Sequence, residues 1–282
     1  VCISMAWKVS SVEALMNRII WVTFAALLCM SELVIAQEFD HDIWNTLLNE
    51  HVNWQQDGHN STVDYDSFKS DQSKLHSYLD KIAEVEQITF KQWDEPEQLA
   101  FLINAYNAWT IQLIISEWPN LESIKDLGSW FKSPWAKPVA RLFQQSVSLD
   151  HIEHSLIRSE QYSEPRIHFA VNCASVGCPA LRPEAYIGDA LSKQLDNQTL
   201  RFLGDQSRNN INGDVLSISP IFKWYREDFE KGWSGINSRM EFIQKYAQVF
   251  ALSNVQQQAL RQKKLKIRYT EYDWQLNSAS SL

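Results

Sequence analysis

Residues 94–119 read Asp-Glu-Pro-Glu-Gln-Leu-Ala-Phe-Leu-Ile-Asn-Ala-Tyr-Asn-Ala-Trp-Thr-Ile-Gln-Leu-Ile-Ile-Ser-Glu-Trp-Pro. Asp94 with Glu97 three residues on is a helix-start pattern, and Leu99 to Trp118 is apolar nearly all round until Pro119 stops it. A helix apolar on every face is a buried one, so this segment predicts the helix around which a core is assembled. Its few polar residues must find partners inside the protein. They are chiefly Asn104, Asn107 and Gln112, and the first two lie three apart on one face, where both amides reach the same neighbour. Two readings stay open for them: a hydrogen-bond network holding irregular backbone, or a direct role at a site.

Outward from this helix the pattern is mostly helical. Ile43, Trp44, Leu47, Leu48, His51 and Val52 recur at helical spacing, with His51 read as a packed histidine, and Leu75, Tyr78, Leu79 and Ile82 repeat the pattern. Trp130, Phe131 and Trp135 among Gly128, Pro134 and Pro138 read as an aromatic loop, and Val139 to Val147 as a strand or hairpin. Ser148 caps a short helix with Leu149, Ile152, Leu156 and Ile157 on one face. Glu153 falls in the middle of that face, whereas His154 and Arg158 lie towards the polar side. A carboxylate there requires a partner, and His168 or Arg182 is expected to provide it. Ala185 to Leu203 and Ile236 to Phe250 read as further helices, Val215 to Ser219 and Leu265 to Trp274 as strands.

The chemistry concentrates in residues 166–183, Arg-Ile-His-Phe-Ala-Val-Asn-Cys-Ala-Ser-Val-Gly-Cys-Pro-Ala-Leu-Arg-Pro. Ile167, Phe169 and Val171 alternate with Arg166, His168, Ala170 and Asn172, as in a strand. A turn of small residues holding Cys173, Ser175, Gly177 and Cys178 follows, and Pro183 fits the first position of a next helix. In such a turn backbone N–H groups and a helix dipole stabilise a thiolate. His168 is expected within hydrogen-bond reach of at least one thiol.

Composition limits the reading of that cysteine pair. The 282 residues, 45% hydrophobic with 12 Trp, 9 Tyr and 13 Phe, suffice for a substantial core. A net charge of −8 gives no basic footprint for nucleic acid. Met16-Asn-Arg, the apolar run Ile19 to Met30, and Val34 and Ala36 before Gln37 read as upstream sequence and signal peptide over 1–36, with a mature chain from Gln37 in the periplasm or outside the cell. Nothing later in the chain reads as long enough to span a bilayer. Removal of the leader takes Cys2 and Cys29 with it and leaves Cys173 and Cys178 in an oxidising compartment. They form either a local disulfide or a functional thiol site. No second Cys or His pair lies at ligand spacing for a metal, and no cofactor is expected.

Several motifs in order carry a resemblance. Phe101 to Ala108, Ser148 to His154, His168 to Arg182, Ile-Phe-Lys-Trp-Tyr-Arg-Glu-Asp-Phe at 221–229 and Tyr-Asp-Trp-Gln-Leu-Asn at 272–277 resemble the family called domain of unknown function 547. Gln112 departs from the histidine that some relatives carry. Plant members lack a cysteine at the place of Cys178, so the resemblance implies Cys173 as nucleophile and Cys178 as structural or resolving partner.

The fold expectation is one α+β domain over 37–282, predominantly helical with a small sheet. Its ingredients resemble papain-like and transglutaminase-like enzymes, although there the Cys precedes the His. Two functions are expected as alternatives. One is a thiol-dependent hydrolase or acyl transferase acting on a small molecule or peptide, with Cys173 or Cys178 as nucleophile, His168 as base, Glu153 or Asn104 orienting the imidazole and turn N–H groups as oxyanion site; Asn107, Asn172 and Arg182 contact the substrate. The other is a non-catalytic periplasmic binding or scaffolding module with a Cys173–Cys178 disulfide.

Overall fold

Asp94 accepts the Glu97 N–H at 2.8 Å and Pro96 occupies the first turn, starting the helix Glu95–Glu117. Every residue from Glu97 to Ala108 in it is buried. The computed structural model describes residues 38–128, 133–250 and 252–279; the leader at 1–36, and Trp130 and Phe131, lie outside the described residues. Helices Tyr65–Ser70 and Gln72–Glu84 pack on the central helix, and Asp42–His51 packs on both of them. Their Trp44, Phe68, Leu75 and Tyr78 are fully buried in one core, each such side chain contributing about 1.5–3 kcal/mol. The central helix corrects one expectation. It is long and apolar enough to cross a membrane, but 83% of its apolar window is buried inside the fold.

A second core gathers Phe169, Phe202, Phe222, Phe229 and Phe242. Strands are short and form three separate sheets rather than one. Val52–Trp54 pairs antiparallel with Ser61–Val63, and Ala140–Leu142 with Gln145–Val147. In the third sheet Val215–Ile218 is central, antiparallel to Asn210–Asn212 and parallel to Lys266–Tyr269. The whole is an α+β fold in which helices dominate.

Residues 166–172 are not a strand. Pro165–Phe169 is a 3₁₀ turn, capped by the Glu164 carboxylate on the Arg166 N–H at 3.0 Å. The alternation misled because both sides are buried: Ile167 belongs to the first core and Phe169 to the second. Nor does a helix open at Pro183. Ala185, Tyr186 and Ile187 donate their N–H groups to the side chains of Asn45, Asn104 and Gln194, each at 3.0 Å, and the helix begins only at Leu191. The helix expected over 236–250 is Arg239–Lys245 followed by a 3₁₀ turn.

Polar groups of the core hold this irregular stretch. Asn107 donates to the Ala170 carbonyl at 3.0 Å and accepts the Asn172 N–H at 2.8 Å. From the other side, the segment beginning at Tyr272 is stitched to the cysteine turn: Val176 and Gly177 donate to the Gln275 and Asp273 carbonyls at 2.8 Å. Gly177 permits that approach, since a Cβ there would lie 2.8 Å from the Asp273 oxygen and 2.9 Å from the Tyr272 ring. Replacing Asn107 by Ala leaves two buried backbone groups unpaired, and denaturant melts should show a loss on the order of 3 kcal/mol; a loss below about 1 kcal/mol would mean that the clamp is dispensable.

Candidate functional site

The site is built where four irregular pieces of chain meet. The Ser148 hydroxyl accepts the His151 N–H at 3.1 Å and starts the next turn. That turn, His151–Ile157, is π-helical, with the Arg158 N–H reaching the Glu153 carbonyl at 2.9 Å. It buries Glu153 beside Ile152 and Ile157, leaves His154 outside, and swings Arg158 onto Asp228. π turns recur at functional sites. Here Glu153, His168, Cys173 and Cys178 line one cleft of about 210 Å³ together with Trp224, Tyr225, Tyr272 and Trp274.

His168 is 2% exposed and its Nε2 lies 2.8 Å from Asp228 Oδ2. Tyr225 stacks on the ring at 3.9 Å between centroids. Arg158 Nε donates to the same carboxylate oxygen at 2.6 Å, and Lys231 Nζ is 3.2 Å from Oδ1. Burial alone would raise the Asp228 carboxyl, but hydrogen bonds from His168 and Arg158 outweigh it and hold it well below the carboxylate range. Burial also pushes the imidazole below its ordinary value, against the hydrogen bond to Asp228. A neutral ring donating Nε2–H to Asp228 carries its lone pair on Nδ1, and Nδ1 is buried with no hydrogen-bond partner. The orienting carboxylate is therefore Asp228, not Glu153 or Asn104.

The two sulfurs are joined as a disulfide. Neither is hydrogen-bonded to His168, contrary to expectation. The Tyr272 hydroxyl instead sits 3.2 Å from Cys173 Sγ and 3.3 Å from Cys178 Sγ. Burial pushes this phenol up to about 12, so it keeps its proton at neutral pH. The turn is also no ready oxyanion site. The N–H groups of Ala174, Val176, Gly177 and Cys178 are bonded to Asn172 Oδ1 and to the carbonyls of Gln275, Asp273 and Ser175. The Cys173 N–H, 2.9 Å from Cys178 Sγ, is the donor that depends on the disulfide. Ala174 at φ 62° is the strained residue of the turn.

The other expected residues do not line the cleft. Asn104 holds the Tyr186 backbone at both N–H and carbonyl. Asn107 clamps Ala170 and Asn172, and Asn172 in turn holds Pro179 and Ala174. Arg182 pairs with Glu184 at 2.5 Å and donates to Asn197, so it is not the partner of Glu153. Away from the cleft, Glu50, His51 and Asp71 place ligand atoms within 4.8 Å of one another, but Lys74 Nζ lies 3.1 Å from Asp71 and 3.7 Å from Glu50, a cation already in place.

Residues 90–203 match the family model described as "Protein of unknown function, DUF547". Over that span the chain is similar to the DUF547 family. No curated protein and no solved structure matches it. The DUF547 span carries Tyr106, Glu153, His168 and both cysteines, whereas Asp228 and Tyr272 lie beyond it. Those two, with Tyr106 and Tyr225, are the functional residues the sequence reading missed. The available signal was the two late motifs, 221–229 and 272–277, whose acid and phenol had been given no structural task.

Two outcomes follow for this site. Glu153 Oε1 is buried and has no hydrogen-bond partner, so Glu153→Gln removes a buried charge with one unfilled oxygen and should leave the denaturation midpoint equal to wild type or higher. A loss beyond about 1 kcal/mol would show that the carboxylate is paired after all. The second outcome concerns pH. His168 is lowered and His41 is pushed down to about 4, both by burial. Each contributes stability that is whole above the unfolded value of about 6.5 and is lost as pH falls towards the folded value. The melting temperature should therefore drop between about pH 7 and 5, and His168→Gln should flatten that slope; an unchanged slope would count against a neutral buried imidazole.

Proposed function

We propose that this protein is a thiol-dependent hydrolase or acyl transferase whose nucleophile, Cys173, is held in a disulfide with Cys178 until reduced. The single observation carrying this reading is His168: a buried imidazole anchored at Nε2 by Asp228, with an unpartnered Nδ1, in the cleft that holds the cysteine pair. A purely structural histidine would have both ring nitrogens satisfied. Anchored by a carboxylate on one nitrogen and open on the other, the ring has the arrangement of a general base. A dithiol reductant donates two electrons to the disulfide and yields two thiols. Cys173 passes its proton to His168 Nδ1, and the thiolate attacks the acyl carbon. The bond to the leaving group breaks as His168 returns the proton to it, leaving a thioester. Water or an acceptor amine then gives its proton to Nδ1 and displaces the thiol. Tyr272, a protonated phenol at both sulfurs, is placed to donate to the thiolate.

An exported location in the periplasm or outside the cell goes with this reading, supported by the leader-like N-terminus and by a disulfide in the cleft. The substrate is a small molecule or peptide. The disulfide also favours a second reading, a non-catalytic binding module in which the bond only staples the turn.

Alkylation by iodoacetamide against pH separates the two. In reduced protein Cys173 should react with a midpoint well below the ordinary thiol value of about 8.5, and His168→Gln should return it towards that value. Hydrolysis of an activated aryl ester should fall on the order of a hundredfold in Cys173→Ser. An ordinary thiol midpoint together with no ester hydrolysis by the reduced wild type would leave the binding module.

A further inference from the structure

Glu153 is the anomaly of the cleft. Its side chain is 7% exposed, it lines the cleft, and its Oε1 is buried without a hydrogen-bond partner. An acceptor of that kind is costly unless something else fills it. The neighbouring groups do not. His154 Nδ1 is 4.0 Å from Oε1, beyond hydrogen-bond reach, and already accepts Arg158 Nη1 at 2.9 Å. Arg158 is itself held by Asp228. The phenols of Tyr106 and Tyr225 lie against the carboxylate and still leave Oε1 open.

The surroundings fix the chemistry of what is missing. Asp150 also borders the cleft, and no lysine or arginine lines it among the described residues. Much of the remaining lining is aromatic: Trp224 stacks on Trp274 with centroids 5.9 Å apart, and the Tyr272 and Trp274 centroids are 4.5 Å apart. Trp224 is 48% exposed, an open face for a ring or chain. Such faces attract cations, and Lys125 Nζ already sits 3.6 Å from the Trp274 centroid. A negative, aromatic cleft with an open buried carboxylate oxygen matches a protonated amine, whose N–H donors and positive charge answer both features.

We propose that the cleft takes an acyl compound bearing a free primary amino group, with Glu153 Oε1 accepting from its ammonium and the Trp224–Trp274 wall packing on its apolar part. This rests on the acyl-transfer reading for what becomes of the bound molecule, whereas the binding needs neither a free thiol nor turnover.

The test is calorimetric titration of the full-length oxidised protein with two probes, L-phenylalaninamide and its N-acetyl derivative. At about pH 6 the free amine, with an ordinary value of about 7.7–8.0, is protonated; the acetylated one carries no charge. The free amine should bind at least about tenfold tighter than the acetylated probe, and Glu153→Gln should remove that preference while leaving the acetylated probe within about twofold. Equal affinity of the two probes for wild type, no binding of the amine up to about 10 mM, or an unchanged preference in a folded Glu153→Gln overturns the proposal. The comparison of probes on wild type does not depend on how the variant folds. Since the oxidised protein has no nucleophile, a failure here leaves the thiol chemistry untouched. Conversely, full turnover in Cys173→Ser would remove the thiol chemistry and leave the amine preference standing.

Discussion

Between Ala170 and Gly188 the main chain crosses the interior without helix or sheet, and its buried N–H and C=O groups must be satisfied by something other than a ladder. Side-chain amides do this. Asn107 holds the entry at Ala170 and Asn172, Asn104 the exit at Tyr186, and Gln198 reaches Phe169 and Ala180 from the helix Leu191–Gly204. The two asparagines project from a helix enclosed by the first core on nearly every side, so their positions are fixed by packing rather than by the loop they hold. The geometry of the cysteine turn is thus inherited from the best-buried element of the protein.

The same turn concentrates what a stable fold normally avoids. Ala174 is in the left-handed region, His168 Nδ1 is buried without a partner, and Glu153 has an unfilled oxygen. All three sit within or beside one cleft, and each is the kind of local conflict that two well-packed cores can sustain. Asp228 counters part of this. Its carboxylate meets His168, Arg158 and Lys231, so the imidazole keeps its orientation although nothing fills its other nitrogen. Tyr272 has a comparable place beside the sulfurs, as a phenol whose burial keeps it protonated.

How much of this was legible follows from what kind of signal each residue gives. The central helix was readable because a run apolar on all sides has one physical solution, and Glu153 because a carboxylate in the middle of an apolar face is conspicuous. The strand at 166–172 was misread since Ile167 and Phe169 point into different cores, and alternation cannot tell two buried sides from one buried and one open. The helix after Pro183 starts later than its pattern suggests because the residues that delay it, Asn45, Asn104 and Gln194, act across the fold. Asp228 and Tyr272 reach the site from 60 and 99 residues away along the chain from His168 and Cys173. No local pattern announces such a meeting; only the recurrence of the late motifs hinted that those segments had a task.

Where the family span ends has a consequence for how such a cleft can diversify. The cysteine pair, His168 and Glu153 lie before residue 203, while Asp228, Tyr272 and the Trp224–Trp274 pair come after it. A cut at that boundary separates the cysteine turn and the imidazole from the Asp228 carboxylate and the Tyr272, Trp224 and Trp274 rings. The later segment is made of short strands and short helices packed on a core shared with Phe169 and Phe202, and elements of that kind accept exchange more readily than a central helix does. One cysteine-bearing scaffold can in this way be fitted with different walls, and a relative sharing only the first half would share the cysteine turn without sharing the rings that meet it.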